Sequence, residues 1–481
     1  MKRIVLLLSL ALCFCGASYA QKAPKKNARA KYVFYFIGDG MGVNQVNGAE
    51  TYLAAREGRI GTSPLLFPSF PYVGLITTQS ATNGVTDSAA AGTALASGVK
   101  TKNHAVGVLK DLQTPVPTIA EKAKQHGAAV GITTSVSVDH ATPAVFYAHV
   151  PKRTMYYEIG KQLPASGFDF FAGSDFLQPT SDKDSTTTLN LYQQAEAAGY
   201  QIVHGYPQFL EQYKQAQRMI LLQPEKSNAE YNQCIPYVVD QQPGDLKLQD
   251  ITRAAIAFLE KQKKDGFFLM IEGGMIDKAC HANDGAAYVK ELIAMDSCVR
   301  IAYDFYEKHP DETLIVITAD HETGGLSLGR GAYELHLDLL DVQRTSIPHY
   351  QRHLRRMAKE LGGSGLTWDV VKADIQKYWG IWQEIEPTKE QAERIRRAYR
   401  HYVAAVCARE GGKTVSSGID ELTYACAYVI DENTGIGWQS GGHSNGYVGV
   451  YAVGVGADQF TGRFDNTEIP KRIMKAARWD K

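Results

Sequence analysis

Three apolar runs of this chain each end on side chains that bind metal. Residues 31–37 (KYVFYFI) lead into Gly38-Asp39, 266–271 (GFFLMI) into Glu272, and 313–319 (TLIVITA) into Asp320-His321. Asp277 and His281 stand four apart, so on a helix beginning near Met275 they share one face and can hold one cation. His443 sits in the loop Gly441-Gly442-His443-Ser444, beside the apolar run 447–455. Taken singly, each of these is as well explained as a cap or a hydrogen-bonded core group. Together they imply a polynuclear metal site, because the carboxyl ends of parallel strands form one shared ligand-binding edge.

A second constellation is Thr86-Asp87-Ser88, followed by Ala89-Ala90-Ala91-Gly92-Thr93-Ala94. The alanines favour a helix, which puts Ser88 at or near its N-terminus. Free N–H groups and the helix dipole there would stabilise a serine alkoxide or a phosphorylated serine. The plainer alternative is that Ser88 is an ordinary N-cap.

The elements that must position these residues follow from the pattern of the chain. Strand-like runs alternate with helical stretches from residue 31 to about 325, and further strands are expected at 72–78, 128–134, 168–171 and 219–222. The fold class is α/β: three layers, α/β/α, around a large, mostly parallel central sheet. Residues 330–435 differ. Thr388-Lys389-Glu390-Gln391 resembles a capping box, with Ala392, Ile395, Tyr399, Tyr402 and Val406 at helical spacing behind it. Thr367 opens another helix, carrying Trp368, Val371, Ile375 and Trp379. This block is read as a mainly helical insertion between His321 and His443. The α/β unit is then 21–329 and 436–481, and the aromatics of the insertion belong to its core or to a subunit contact.

Residues 1–20 read as a cleaved signal peptide: Lys2 and Arg3, an apolar run over 4–15, and Ser18-Tyr19-Ala20 before Gln21. That run is too short for a permanent transmembrane anchor, and none is seen later, so a periplasmic or secreted protein is expected. The whole chain has 51 basic and 51 acidic residues, and loss of Lys2 and Arg3 leaves it slightly acidic. Such a balance argues against nucleic-acid binding. Five cysteines remain after cleavage, Cys234, Cys280, Cys298, Cys407 and Cys426, enough for at most two disulfides.

The motifs Phe36-Ile-Gly-Asp39-Gly-Met-Gly, Thr86-Asp-Ser88-Ala-Ala-Ala-Gly-Thr, His140-Ala-Thr142-Pro-Ala, Glu272-Gly-Gly-Met-Ile-Asp277 and Thr318-Ala-Asp320-His321-Glu-Thr-Gly-Gly resemble those of alkaline phosphatases, in the same order. The resemblance implies two Zn2+ and one Mg2+. Asp277, His281 and His443 match the ligands of the first zinc; Asp39, Ser88, Asp320 and His321 those of the second. Asp39, Thr142 and Glu272 match the magnesium site. Arg153 matches the arginine that clamps phosphate, with Asp87 orienting it, and a planar guanidinium suits that grip. Ser88 is then the nucleophile, activated by metal and forming a phosphoserine intermediate. The implied substrates are small phosphate monoesters, and the implied assembly is a homodimer.

The chain mixes two patterns around the third ion. His140 stands where some bacterial relatives carry Asp and animal relatives His, whereas Lys278 matches those bacterial relatives. An imidazole at 140 either holds a water ligand or binds a softer metal directly. Two other functions compete. A phosphodiesterase of the same superfamily would share the zinc ligands and the nucleophile but not a monoester clamp. A secreted metal- or phosphate-binding protein would lack the nucleophile or one ligand set.

Overall fold

The structure is a computed structural model that describes residues 28–181, 190–231, 234–331, 333–408 and 412–480. The signal peptide lies outside the described residues. A ten-stranded sheet runs, from edge to edge, Gly462–Asp465, Tyr72–Thr77, Val448–Gly454, Thr313–Thr318, Tyr32–Ile37, Phe267–Glu272, Ala129–Thr134, Phe170–Gly173, Arg218–Leu222 and Tyr200–His204. Only Val448–Gly454 is antiparallel to its neighbours. The central strands are Val-, Ile- and Phe-rich and buried on both faces, as a parallel sheet covered by helices on each side requires. Phe34, Phe267 and Phe305 pack edge-on or tilted beneath one of those faces.

Register decides where the chemistry falls. Ile37 pairs with both Glu272 and Thr318, and Thr134 pairs with Glu272. Four central strands therefore end on one rung, and Asp39, Asp320 and His321 follow within three residues of it. Val448–Gly454 runs the other way, so it begins at this same edge, and His443 precedes it there.

Two strands lie beyond the expected set. Tyr200–His204 is a half-exposed edge strand, and Gly462–Asp465 is a four-residue edge strand with exposed Gly462 and Arg463. Neither carries the apolar continuity that marks the central strands.

Between Ser327–Leu328 and Ile436–Gly437, which pair antiparallel, the chain leaves the sheet and returns. This segment carries the helices Ile347–Gly365, Trp368–Trp379, Lys389–Cys407 and Gly412–Thr434. Thr388 and Gln391 form a reciprocal capping box, and the Thr367 hydroxyl accepts from the Val370 amide. Tyr350, Trp379 and Tyr402 are fully buried and centre a small core. All five cysteines named above are free thiols, with Cys407 exposed and Cys280, Cys298 and Cys426 buried. Among the described residues, no helix is long and apolar enough to cross a membrane.

Candidate active site

The strand ends bring four carboxylates into one buried volume: Asp39, Glu272 and Asp320 are inaccessible to solvent and Asp277 is 4% exposed. Asp39 Oδ1, Glu272 Oε1 and Asp320 Oδ2 are buried without a hydrogen-bond partner. Burial, reinforced by the neighbouring carboxylates, drives Asp39 well above the ordinary carboxyl range and Asp320 up to about 8. Burial likewise lifts Glu272 to about 7. An uncompensated group of this kind either neutralises or binds cations. Asp277 differs. Burial also pushes it up, but the contact from His281 and positive charge at the positions of the three imidazoles, which a bound cation would supply in place of protons, outweigh this and hold it far below the usual range.

The imidazoles specify which. His281 Nδ1 donates to Gly441 O at 2.7 Å and His443 Nδ1 donates to Thr86 O at 2.9 Å. Thr323 Oγ1 donates to Asp277 Oδ1 at 2.6 Å, so it accepts from His321 Nδ1 at 3.2 Å. In a neutral ring a proton on Nδ1 leaves a lone pair on Nε2; burial holds His321 well below the ordinary imidazole range and so in that form, whereas the Asp277 contact raises His281, which takes a proton at this place when no metal does. His321 Nε2 stands 3.3 Å from Asp39 Oδ1, 3.3 Å from Asp320 Oδ2 and 3.2 Å from Ser88 Oγ. His281 Nε2 stands 3.3 Å from Asp277 Oδ2 and 3.1 Å from His443 Nε2. Lone pairs facing carboxylate oxygens and each other repel unless a proton or a metal cation lies between them. Metal-binding histidines usually donate the other ring N–H to a carbonyl or polar partner in this way. The donor set therefore fits metal.

Among the described residues, potential ligand atoms converge in three groups: Asp277, His281 and His443; Asp39, Asp277 and His321; and Asp39, His140 and Glu272. The first is the zinc set expected from sequence. In the second, Asp277 comes within reach as well, with Asp320 and Ser88 alongside. In the third, His140 joins directly. Thr142 Oγ1 lies 3.5 Å from Asp39 Oδ2, and Thr134 Oγ1 donates to Glu272 Oε2. Burial, with the charges of Arg153 and Lys278 behind it, holds His140 well below the ordinary imidazole range, so its ring is neutral. Lys278 follows Asp277 on the helix Met275–His281 and is half-buried.

Ser88 opens the helix Ser88–Ser97, and Asp87 is its N-cap, accepting from the Ala90 amide at 3.0 Å. Because Asp87 takes the capping role, the Ser88 hydroxyl is free to face His321. Ser88 is 2% exposed. Asp87 Oδ2 also accepts from Arg153 Nη1 at 3.1 Å.

Three contributors escaped the sequence reading. Thr323 ties Asp277 to His321, and Thr134 holds Glu272. His104 donates its backbone N–H to Asp87 Oδ1 at 3.1 Å, with its ring Nδ1 3.3 Å from Asp87 Oδ2. His104 has φ +73°, a left-handed conformation rare for a residue with a side chain. Thr323, two residues after His321, was findable from the motif; a strained histidine among surface residues gives no sequence signal.

The sequence profile described as alkaline phosphatase matches residues 30–176 and 167–479. Alkaline phosphatase 3 of Bacillus subtilis is 29% identical over 472 residues, covering 96% of this chain and 92% of its own length. The alkaline phosphatase of Thermus thermophilus superposes with a TM-score of 0.76 at 27% identity, covering 95% of this chain and 93% of that one. A variant of TAB5 alkaline phosphatase, solved with Mg bound in its M3 site, gives a TM-score of 0.63 at 25% identity, over 94% and 99% of the two chains. Since the profile spans nearly all described residues, this chain belongs to the alkaline phosphatase family.

Proposed function

We propose that this phosphomonoester hydrolase works through Ser88 as nucleophile, with Arg153 gripping the phosphate and Asp87 holding Arg153. Asp277, His281 and His443 would hold one Zn2+; Asp39, Asp320, His321 and the Ser88 oxygen a second. Asp39, Thr142 and Glu272 would hold a third ion, Mg2+ as the resemblance implies, with His140 beside it; the TAB5 variants solved with Mg in the M3 site carry Asp or Glu in place of a histidine, so they exemplify Mg in a site without that imidazole. The observation that carries this reading is the set of three imidazoles whose Nε2 lone pairs face buried carboxylates and the Ser88 hydroxyl. Bound there, the ions would lower the pKa of the serine hydroxyl and neutralise charge on the phosphoryl group and the leaving oxygen.

The chain's own groups do the rest. Ser88 Oγ at the helix N-terminus attacks phosphorus, and the resulting phosphoserine is stabilised by the helix dipole and by Arg153. Arg153 Nη1 is bonded to Asp87, which leaves other guanidinium N–H groups to grip two of the three non-bridging oxygens of a monoester. A water then takes up phosphorus from the side the alcohol has left and releases inorganic phosphate. In the same reading the chain is exported after cleavage of residues 1–20 and acts as a homodimer, with 330–435 as an inserted helical unit. Comparing turnover of p-nitrophenyl phosphate and bis-p-nitrophenyl phosphate tests the monoester assignment. A strong preference for the monoester is expected; preference for the diester would transfer the function to the phosphodiesterase reading.

A further inference from the structure

Glu322 directly follows Asp320-His321, yet it does not join the metal-binding groups. Asp39, Glu272 and Asp320 each keep a buried oxygen without a hydrogen-bond partner, whereas both oxygens of Glu322 are taken. Oε1 accepts from Gln45 Nε2 at 2.6 Å and from the Leu326 amide at 3.2 Å. Oε2 accepts from the Gly325 amide at 3.2 Å and from the Ser444 hydroxyl. A carboxylate offers about four acceptor positions, so this buried one has none left for a cation. Gln45, on the helix Val43–Arg56, also donates to Thr323 O at 2.8 Å. A Cβ at Gly42 would come within 2.3 Å of Glu322 Cγ, so the start of that helix closes directly over the side chain.

The use of Glu322 follows from the ribbon it belongs to. Glu322–Thr323 and His443–Ser444 pair antiparallel, with His443 opposite Thr323 and Ser444 opposite Glu322. Residues opposite each other share a face, and the next pair along points to the other one. Thr323 Oγ1 at 2.6 Å and His443 Nε2 at 3.8 Å both meet Asp277 Oδ1, so this pair faces the metal-binding groups. Glu322 and Ser444 form the reverse face and bond to each other there. A ladder of two residues is weak on its own, and a slip of one residue would turn His443 away from Asp277. We propose that Glu322 is a positioning residue: by holding Ser444 it fixes the register of this ribbon and keeps His443 in the ligand set of one zinc. The proposal rests on the metal sites assigned above. It also gives the ribbon a task, since His321 and Thr323 reach the site on one strand and His443 on the other.

The test is zinc retention by the holoenzyme in competition with a chromogenic chelator, read in wild type, Ser444→Ala, Ser444→Thr and Glu322→Gln. Loss of a group that orients a metal ligand typically weakens metal affinity about ten- to a hundredfold. Ser444→Ala is expected to release its more weakly held zinc that much more readily. Glu322→Gln, which keeps the shape but has one acceptor oxygen in place of two, should do the same. Ser444→Thr retains the hydroxyl and should match wild type. Retention by Ser444→Ala within about threefold of wild type overturns the proposal. A second measurement separates positioning from general support of the fold: Ser444→Ala made in a His443→Ala background. If Ser444 acts through His443, the added substitution changes zinc retention no further. An equal loss in both backgrounds means a role that bypasses His443, and overturns the proposal. Wild-type protein that takes up no zinc would instead strike the metal assignment itself.

Discussion

Nε2 of His281 faces Nε2 of His443 at 3.1 Å, and in both rings Nδ1 is committed to a backbone carbonyl. Two neutral imidazoles cannot hold this arrangement by hydrogen bonding, because neither has a proton to offer the other. A cation between them and Asp277 resolves the repulsion. Chelation should therefore destabilise the fold as well as abolish turnover, since a ligand that binds only the folded state stabilises it by mass action. The melting temperature is expected to fall by several degrees in excess EDTA and to return on adding Zn2+. An unchanged melting temperature with metal demonstrably removed would contradict this.

Thr323 Oγ1 spans Asp277 and His321, and so sets the tautomer of one ligand and the position of another. Loss of such a supporting partner typically costs ten- to a hundredfold in metal affinity. Thr323→Val should lose metal that far more readily in competition with a chromogenic chelator, while Thr323→Ser should stay close to wild type. Equal retention by all three proteins would remove Thr323 from the site.

The apolar strands and their abrupt polar ends made much of this legible in the sequence. Runs such as FFLMI and TLIVIT are readable as buried parallel strands because water reaches neither face. Asp39, Glu272 and Asp320 stand out because carboxylates at such ends are costly unless used. The edge strand Tyr200–His204 was not legible, since half its side chains meet solvent and the apolar continuity is lost. The reversed direction of Val448–Gly454 was not legible either, although it is what brings His443 to the site. Direction depends on pairing, and local sequence carries no record of it. For the same reason the link from His104 to Asp87 appears only when the loops are in place.

Arg153 is expected to act on binding more than on the integrity of the site. It is held by Asp87 and lies beside His140 at 3.5 Å. Removing a charged hydrogen-bonding partner of phosphate costs about 1.5–3 kcal/mol. Arg153→Ala should thus raise KM for a monoester and Ki for inorganic phosphate by about ten- to a hundredfold, measured by steady-state kinetics. Diester turnover should change much less. Equal losses on both substrates would argue against a monoester clamp.

Glu291 gives a pH dependence remote from the metal groups. It is buried, accepts from the Val238 amide, and is pushed up to about 8 by burial and by Asp240 and Asp284. In the unfolded chain it titrates near 4.5. Between these values the folded state holds a proton that the unfolded state has released, so this group lowers stability as pH rises from about 4.5 to 8. Glu291→Gln should abolish that loss. Its melting temperature relative to wild type should increase from pH 5 to pH 8, as read by thermal denaturation. A constant offset across that range would contradict the assignment.

Trapping the phosphoenzyme tests the central claim most directly. Wild-type protein quenched in acid during turnover of a monoester, digested and analysed by mass spectrometry should carry phosphate on the peptide containing Ser88. Ser88→Ala should carry none and lose turnover, while keeping nearly the wild-type zinc content, because the ligand set Asp277, His281 and His443 remains whole. Phosphate on a different residue, or full activity in Ser88→Ala, would contradict the account.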